Sequence, residues 1–367
     1  MHTQEEPPPS PKGVFIIAEA GVNHNGALPL ALRLVEVAAA SGADAIKFQT
    51  FRSTELVSRN APKAAYQRLN TAEEESQWEM LRRLELDWPS HHRLLAHCRE
   101  MGIRFLSAPF DPPSLDFLLD ELHLPQIKIP SGEITNGPLL WRVGSRRRQV
   151  ILSTGMATLG EVEQALGVLA CGYLGHPPSA AAFEAAYRSG SGQQLLRDNV
   201  VLLHCTSEYP APFDSVNLRA MDTLASAFGL PVGLSDHSPG SAVAIAAVAR
   251  GAILVEKHFT LDRSLPGPDH KASLEPLELA AMVEGIRAVE LALGDGRKVA
   301  TAVELNNRPV VRKRLVALTD IAPGTLFTED NLGAKRPGDG LSPMEYWRWL
   351  GRRAERAYQA DQPIVDT

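Results

Sequence analysis

From Val14 to about Gly294 the chain alternates short apolar, often β-branched runs with longer stretches whose apolar residues recur every three to four positions. The short runs predict strands at Val14 to Ala18, Ala45 to Phe48, Ile103 to Ser107, Gln126 to Ile129, Val150 to Leu152, Val200 to His204, Val232 to Leu234 and Ala252 to Val255. The periodic stretches predict helices at Leu28 to Ala40, Ser90 to Glu100, Ser114 to Leu122, Leu159 to Cys171, Ser215 to Phe228, Ala242 to Arg250 and Pro276 to Leu293. Strand followed by helix around eight strands predicts an α/β fold, a (β/α)8 TIM barrel with its chemistry at the carboxyl ends of the strands. An open doubly wound sheet shows the same alternation but has no need of polar residues at nearly every strand end.

Two insertions interrupt the pattern. Arg52 to Leu86, acidic and helix-prone, follows the second strand, and Gly172 to Asn199, rich in Ala, Ser, Gly and Pro, precedes the sixth. Each is long enough either to cover a barrel mouth or to decorate the surface. After Gly294 large apolar groups thin out over 295–314, as in a linker. Leu315 to Leu318, Thr325 to Phe327 and Leu332 to Lys335 then read as short strands between Pro-Gly turns. The predicted organisation is a flexible tail over 1–12, a barrel over 13–294, a linker over 295–314 and a small β-rich domain over 315–367.

Composition narrows the function. A formal net charge of -6 provides no basic face for nucleic acid, so a phosphorylated ligand would need local lysines. No apolar run reaches the ~18 residues of a membrane span, and the proline-rich, acidic N-terminus lacks a signal-peptide core. A soluble, cytoplasmic protein without membrane or nucleic-acid partners is expected. Cys98, Cys171 and Cys205 show no Cys-x-x-Cys spacing and read as reduced core residues, with a nucleophilic thiol at Cys205 having no positive support.

The strand ends carry the candidate chemistry. Glu19, before Ala20-Gly21-Val22-Asn23-His24-Asn25-Gly26, could orient a water or take a proton, or simply cap a helix or hold a salt bridge. Strand alternation sends Lys47 and Gln49 to one side and Phe48 to the other, and Lys128 stands in another apolar run before Pro130-Ser131-Gly132-Glu133. Two barrel lysines, with Ser131, Ser153 and Ser235 on strand ends, could hold a phosphate and a carboxylate by charge-assisted hydrogen bonds. The alternatives are neutralisation across the barrel by Glu19 or Glu256, and a Schiff-base lysine. His237 and His258 close adjacent strands, ~4.8 Å apart in such a sheet. They could share one metal ion or be hydrogen-bonded core residues.

In their order, these motifs resemble the sialic acid synthase family, which covers N-acetylneuraminate synthase and its legionaminic and pseudaminic acid relatives. The likeness runs from Ile16-Ile17-Ala18-Glu19 through Ile46-Lys47-Phe48-Gln49-Thr50, Lys128-Ile129-Pro130-Ser131-Gly132-Glu133, Ile151-Leu152-Ser153-Thr154-Gly155-Met156, His204-Cys205-Thr206, Gly233-Leu234-Ser235-Asp236-His237 and Glu256-Lys257-His258-Phe259-Thr260 to Gly267-Pro268-Asp269. The tail, with Lys335-Arg336-Pro337-Gly338-Asp339-Gly340, is similar to the family's antifreeze-like SAF domain.

The resemblance implies condensation of phosphoenolpyruvate with an N-acetylmannosamine-type aldehyde to a nine-carbon sialic acid plus phosphate, that is, N-acetylneuraminate synthase. The alternatives it leaves are a legionaminic or pseudaminic acid synthase and a 9-phosphate synthase with a 6-phosphorylated acceptor, for which Arg52, Arg59 and Arg68 could supply cations. From another class stands a non-catalytic carbohydrate-binding protein, which would have no need of both histidines and both lysines. The resemblance further implies that His237 and His258 bind a divalent ion (Mn2+, Mg2+ or Co2+), that Glu19 manages a water or proton, and that Lys47, Lys128, Ser131, Ser153, Ser207 and Ser235 hold phosphoenolpyruvate. Gln49, Glu133, Tyr209 and Asp269 would bind sugar hydroxyls, and Arg336 would reach the N-acetyl group from the other subunit of a domain-swapped homodimer. Two positions depart from the pattern: Ala108 replaces a threonine hydroxyl, and Ser207 stands where an asparagine reaches further. As pure ligand contacts, either lysine should be removable with little loss of thermal stability.

Overall fold

The computed structural model describes residues 13–71, 75–336 and 338–366, and the predicted tail over 1–12 lies outside them. Two compact units divide at Gly294/Asp295. In the first, eight parallel strands are present among the described residues: β1 Phe15–Gly21, β2 Ala45–Thr50, β3 Arg104–Pro109, β4 Gln126–Ile129, β5 Gln149–Ser153, β6 Val200–Cys205, β7 Val232–Asp236 and β8 Leu254–His258. Their order, β3-β2-β1-β8-β7-β6-β5-β4, pairs the last strand with the first, as only a closing barrel does. The seam falls between β3 and β4, which lie side by side without a described ladder.

Alternation along the strands separates two cores. Ile16, Ala18, Ile46, Phe48, Ile127, Ile129, Val150, Leu152, Leu202, Val232, Leu234 and Val255 point outward and pack under the helices. Ile17, Ala45, Leu106, Ile151, Leu203 and Leu254 point inward and fill the lower lumen. One inward position further along each strand stand Glu19, Lys47, Ser153, Cys205 and Glu256, so the apolar layer is the floor beneath the polar one.

Most strands run one to three residues beyond the predicted ends. Glu19, Gln49, Ser153, Cys205, Ser235, Asp236, Glu256, Lys257 and His258 thus belong to the ladders themselves. Polar residues read as strand terminators in the sequence, whereas in a barrel they find partners across the lumen and the backbone pairing continues. One helix, Gly137–Ser145 after β4, was not predicted; Asn136 caps it, its side chain accepting from Leu139 N at 3.3 Å, with Pro138 in the first turn.

The two insertions have different fates. Arg52 to Leu86 forms short helices Ser53–Leu56, Ala65–Asn70 and Gln77–Leu84, the last held by a Ser76/Glu79 capping box. Its Met80, Leu81 and Leu84 join Val22 and Phe51 in a small apolar cluster at the barrel mouth. Gly172 to Asn199 completes helix Leu159–Leu174 and adds Ala180–Arg188 and Gly190–Asn199. These cover the outer face of Leu159–Leu174, where Gly167 permits the close approach: a Cβ there would meet Phe183 O at 3.0 Å. That insertion thickens the wall and lines no part of the mouth.

The second unit pairs β9, Arg314–Ala317, antiparallel with β10, Leu332–Lys335, around Leu315, Ile321, Phe327, Trp349, Tyr358 and Ile364. The predicted strand Thr325 to Phe327 makes only an isolated bridge, Leu326 to Arg353. The segment read as a linker contains helix Ala302–Val311, capped by Thr301 and Glu304. A local capping box is enough to start a helix where the apolar pattern is weak.

Candidate active site

A cavity of about 460 Å³ opens at the carboxyl ends of the barrel strands. It brings together Glu19, Lys47, Gln49, Lys128, Ser131, Glu133, Ser153, Ser207, Tyr209, Ser235, His237, His258 and Asp269, from the ends of seven strands and the loops that follow them. Arg336 is the one predicted site residue elsewhere; it is exposed, just after β10 in the second unit. No arginine lines the cavity among the described residues.

Its floor is a buried charge network. Lys47 Nζ lies 2.7 Å from Glu19 Oε2 and 3.8 Å from Glu256 Oε2, and Lys128 Nζ lies 3.3 Å from Glu256 Oε1. Ser235 Oγ donates to Glu256 Oε1 at 2.8 Å. Burial pushes Glu256 up, but Lys128, Lys47 and the Ser235 hydroxyl outweigh it and hold the carboxyl at about 2. Glu19 goes the other way, raised to about 7 because burial and the charge of Glu256 outweigh Lys47. One carboxylate stays ionised while the other can exchange a proton near neutrality. Burial alone would discharge both lysines. Glu19 and Glu256 lift Lys47 above its usual range, whereas Lys128, with one close carboxylate and Lys47 opposite, falls below it. Neutralisation by Glu19 and Glu256, one of the two alternatives to anion binding, is therefore what this structure contains. Against the expectation for pure ligand contacts, this pairing predicts a thermal cost for losing either lysine.

Around the lysines stand hydroxyls. Ser153 Oγ is buried with no described partner, a donor free for a ligand. Gly155 N donates to Ser131 Oγ at 3.0 Å, and a Cβ on Gly155 would lie 2.4 Å from Ser207 Oγ and 2.7 Å from Ser131 Oγ. Only glycine leaves this small cradle open. Ala108, one of the two departures, lines the cavity with a methyl group.

The two imidazoles have ring centroids 5.4 Å apart. His237 Nδ1 bonds Thr206 O at 2.7 Å, so its Nδ1 carries the proton and its Nε2 keeps the lone pair. His258 Nδ1 is buried with no described partner, and burial, then His237 and Lys47, push its pKa well down, keeping the ring neutral. Burial pulls the His237 pKa down, but Cys205, the bond to Thr206 O and Glu256 outweigh it and raise it, so an ion at Nε2 would compete with a proton there. One ring with Nδ1 tied to Thr206 O and one neutral ring with an orphan nitrogen fit a divalent ion. No group of three or more metal-type side chains occurs among the described residues, so most coordination positions would be left to water and substrate.

Three features were not legible in the sequence. Cys205, read as core, lines the cavity with Sγ 3.7 Å from His237 Nδ1; a thiol follows polar and apolar neighbours alike, so no pattern marks it. Glu256 appeared only as a partner for the lysines, yet it joins both of them to Ser235. Tyr66 of the first insertion packs on Tyr209 at 4.9 Å, and Tyr209 packs on His237 at 4.1 Å. Asn70 Nδ2 donates to Pro268 O at 2.8 Å, tying the insertion to the loop after β8. The insertion therefore roofs the cavity, with Leu56, Val57, Met80, Leu81 and Leu84 in its apolar ceiling. Arg52 and Arg59 instead stack on Trp88 and Trp78, at 4.3 and 5.8 Å, and neither they nor Arg68 line the cavity.

A parallel (β/α)8 barrel with a carboxyl raised toward neutrality, two lysines and two histidines gathered at its mouth has the architecture of the barrel enzymes. Residues 34–298 match the NeuB family and residues 312–367 match the SAF domain, and the chain belongs to the NeuB family. It is 50% identical over 353 residues to N,N'-diacetyllegionaminic acid synthase of Campylobacter jejuni, covering 96% of this chain and 99% of that one. It is 45% identical to the protein of the same name from Legionella pneumophila, covering 96% and 93%. Among solved structures, the N-acetylneuraminic acid synthetase of Leptospira borgpetersenii, in complex with citrate, aligns with a TM-score of 0.64 and 33% identity over 82% of this chain and 93% of that one. The sialic acid synthase resemblance read from the motifs is thereby established. No helix among the described residues is long and apolar enough to cross a membrane.

Proposed function

We propose that this protein condenses phosphoenolpyruvate with a diacetamido, deoxygenated sugar aldehyde, forming a legionaminic-acid-type nine-carbon 2-keto acid and inorganic phosphate. The observation that carries the reading is the shared name of the two relatives at 50% and 45% identity, both covering 96% of the chain. It favours this acceptor over the N-acetylmannosamine expected from the motifs. The cavity supports the same choice. The aldehyde must meet the enol carbon above the lysines, so the far end of the sugar, where the candidate acceptors differ, faces the ceiling. An apolar ceiling suits methyl and acetamido groups, whereas a 6-phosphate would find no arginine of the same barrel among the described residues there.

In this reading Lys47 and Lys128 hold the phosphate and carboxylate of phosphoenolpyruvate, with Ser131, Ser153, Ser207 and Ser235 donating to its oxygens. Their charges, already present for Glu19 and Glu256, need little rearrangement to meet an anion. Glu19, raised to about 7, takes a proton from the water that adds to the oxocarbenium carbon formed when the enol carbon bonds the aldehyde. It can return that proton to the leaving phosphate as the hemiketal collapses to the ketone and the carbon–oxygen bond breaks, the second water proton ending on the new sugar hydroxyl. His237 and His258 would hold a divalent ion, which supplies Lewis-acid polarisation of the acceptor aldehyde. Gln49, Glu133, Tyr209 and Asp269 orient the sugar hydroxyls, and Arg336 of a second copy in a swapped dimer reaches the acetamido group.

The test is phosphate release from phosphoenolpyruvate with three acceptors: N-acetylmannosamine, its 6-phosphate and the 2,4-diacetamido-6-deoxy sugar. A kcat/KM at least about 10-fold higher for the diacetamido sugar is expected, the scale of discrimination an apolar wall provides. Preference for either other acceptor would overturn the acceptor assignment, and no release with any of them would overturn the synthase reading.

A further inference from the structure

We propose that the buried Asp236–Lys257 ion pair is a positioning brace for the two imidazoles, locking the ends of β7 and β8 together one residue before each ring. The inference rests on the reading of His237 and His258 as a metal pair.

Asp236 and Lys257 are register partners across the β7–β8 ladder and project to the face of the sheet opposite the cavity. Lys257 Nζ lies 2.8 Å from Asp236 Oδ2, and the side chains are 0% and 1% exposed. The rest of the network encloses His237. Asp236 Oδ1 accepts from Ser238 N at 2.9 Å and Ser238 Oγ at 2.7 Å, so the residues before and after His237 are tied to each other. Lys257 Nζ also donates to Ser238 O, carrying the tie across to β8 next to His258. His237 O accepts from Ala211 N at 2.9 Å and His258 O from Leu274 N at 2.9 Å, which fixes both backbones further.

Neither charge touches the cavity, and stability gives them no reason to be there. An apolar pair of similar volume in such a position is often equally or more stable, because it avoids desolvating two ions. What an apolar pair cannot supply is direction. Four directed contacts close on three residues, whereas packed methyl groups allow the strand ends to slide by fractions of an ångström. Among the described residues two protein ligands are available for the ion, so their separation is not corrected by a third. A small error in strand offset passes directly into the distance between the rings.

The test uses the full chain without substrate and titrates Mn2+, following the free ion by electron paramagnetic resonance and the fold by thermal melting. The double variant Asp236→Leu/Lys257→Met should melt at or above the wild-type temperature while binding Mn2+ about 10–100-fold more weakly, the usual effect of losing support behind metal ligands. Lys257→Gln, which leaves the Asp236–Ser238 bonds intact, guards against a double variant that does not fold, and should weaken Mn2+ binding about 10-fold. His237→Ala is the control for the site itself. Wild-type Mn2+ affinity in a folded brace variant, with affinity lost in His237→Ala, would overturn the brace alone. Unchanged affinity in His237→Ala would overturn the metal pair, and the brace with it.

Discussion

Replacing Lys128 by methionine tests the electrostatic structure of the cavity floor directly. Methionine preserves the length and apolar stem of the side chain and removes only the charge. Glu256 then loses its nearest cation and keeps Lys47 at 3.8 Å and the Ser235 hydroxyl. Its carboxyl, held at about 2 chiefly by Lys128 against the pull of burial, must either stay ionised in an unfavourable site or take up a proton. Removing one partner of a buried pair costs about 3–5 kcal/mol. For a unit of this size that lowers Tm by on the order of 10 °C. Melting in the absence of phosphoenolpyruvate isolates this term from ligand binding. Adding Glu256→Gln to Lys128→Met keeps the hydrogen bond to Ser235 and deletes the orphaned charge, so the double variant should recover at least half of the loss. Phosphoenolpyruvate should raise the wild-type Tm by mass action and fail to do so in either variant. A single variant that melts like the wild type, or a double variant whose losses simply add, would refute the pairing of Lys128 with Glu256.

His24, fully buried, accepts from Gly26 N at 3.0 Å on Nδ1, and burial, then the charge of His91, lower its pKa to about 3. An unfolded histidine titrates near 6.5, so below that pH the unfolded chain binds the extra proton. Stability is fully present above pH 6.5 and falls as pH drops toward 3, by roughly 2 kcal/mol at pH 5. Urea midpoints at pH 7, 6 and 5 should show a flatter decline for His24→Asn, and parallel profiles would exclude His24 as the source. For Arg336, mixing an inactive Arg336→Ala chain with an inactive His237→Ala chain should restore activity once heterodimers are verified by mass. Verified heterodimers without activity would exclude service of one subunit's cavity by the other's arginine.

Periodicity is a local property, and it carried the architecture. Eight apolar runs separated by helical stretches predict the barrel, and period-two alternation alone turns Lys47 and Gln49 inward and Phe48 outward. The motif residues likewise pointed to a common mouth, because a parallel barrel brings every strand's carboxyl end to one side whatever the loops do. Strand ends were misplaced for the same local reason: Glu19, Ser235 and Glu256 look like terminators when their partners across the lumen are unseen. Only the tertiary structure decided that Glu256 joins Lys47, Lys128 and Ser235 and that Glu19 is poised near neutrality, since both depend on through-space distances and burial. It also decided that the first insertion roofs the cavity while the second thickens the wall. Their apolar residues have similar patterns, and what they cover depends on where packing partners such as Val22 and Phe51, or helix Leu159–Leu174, are placed by the rest of the chain.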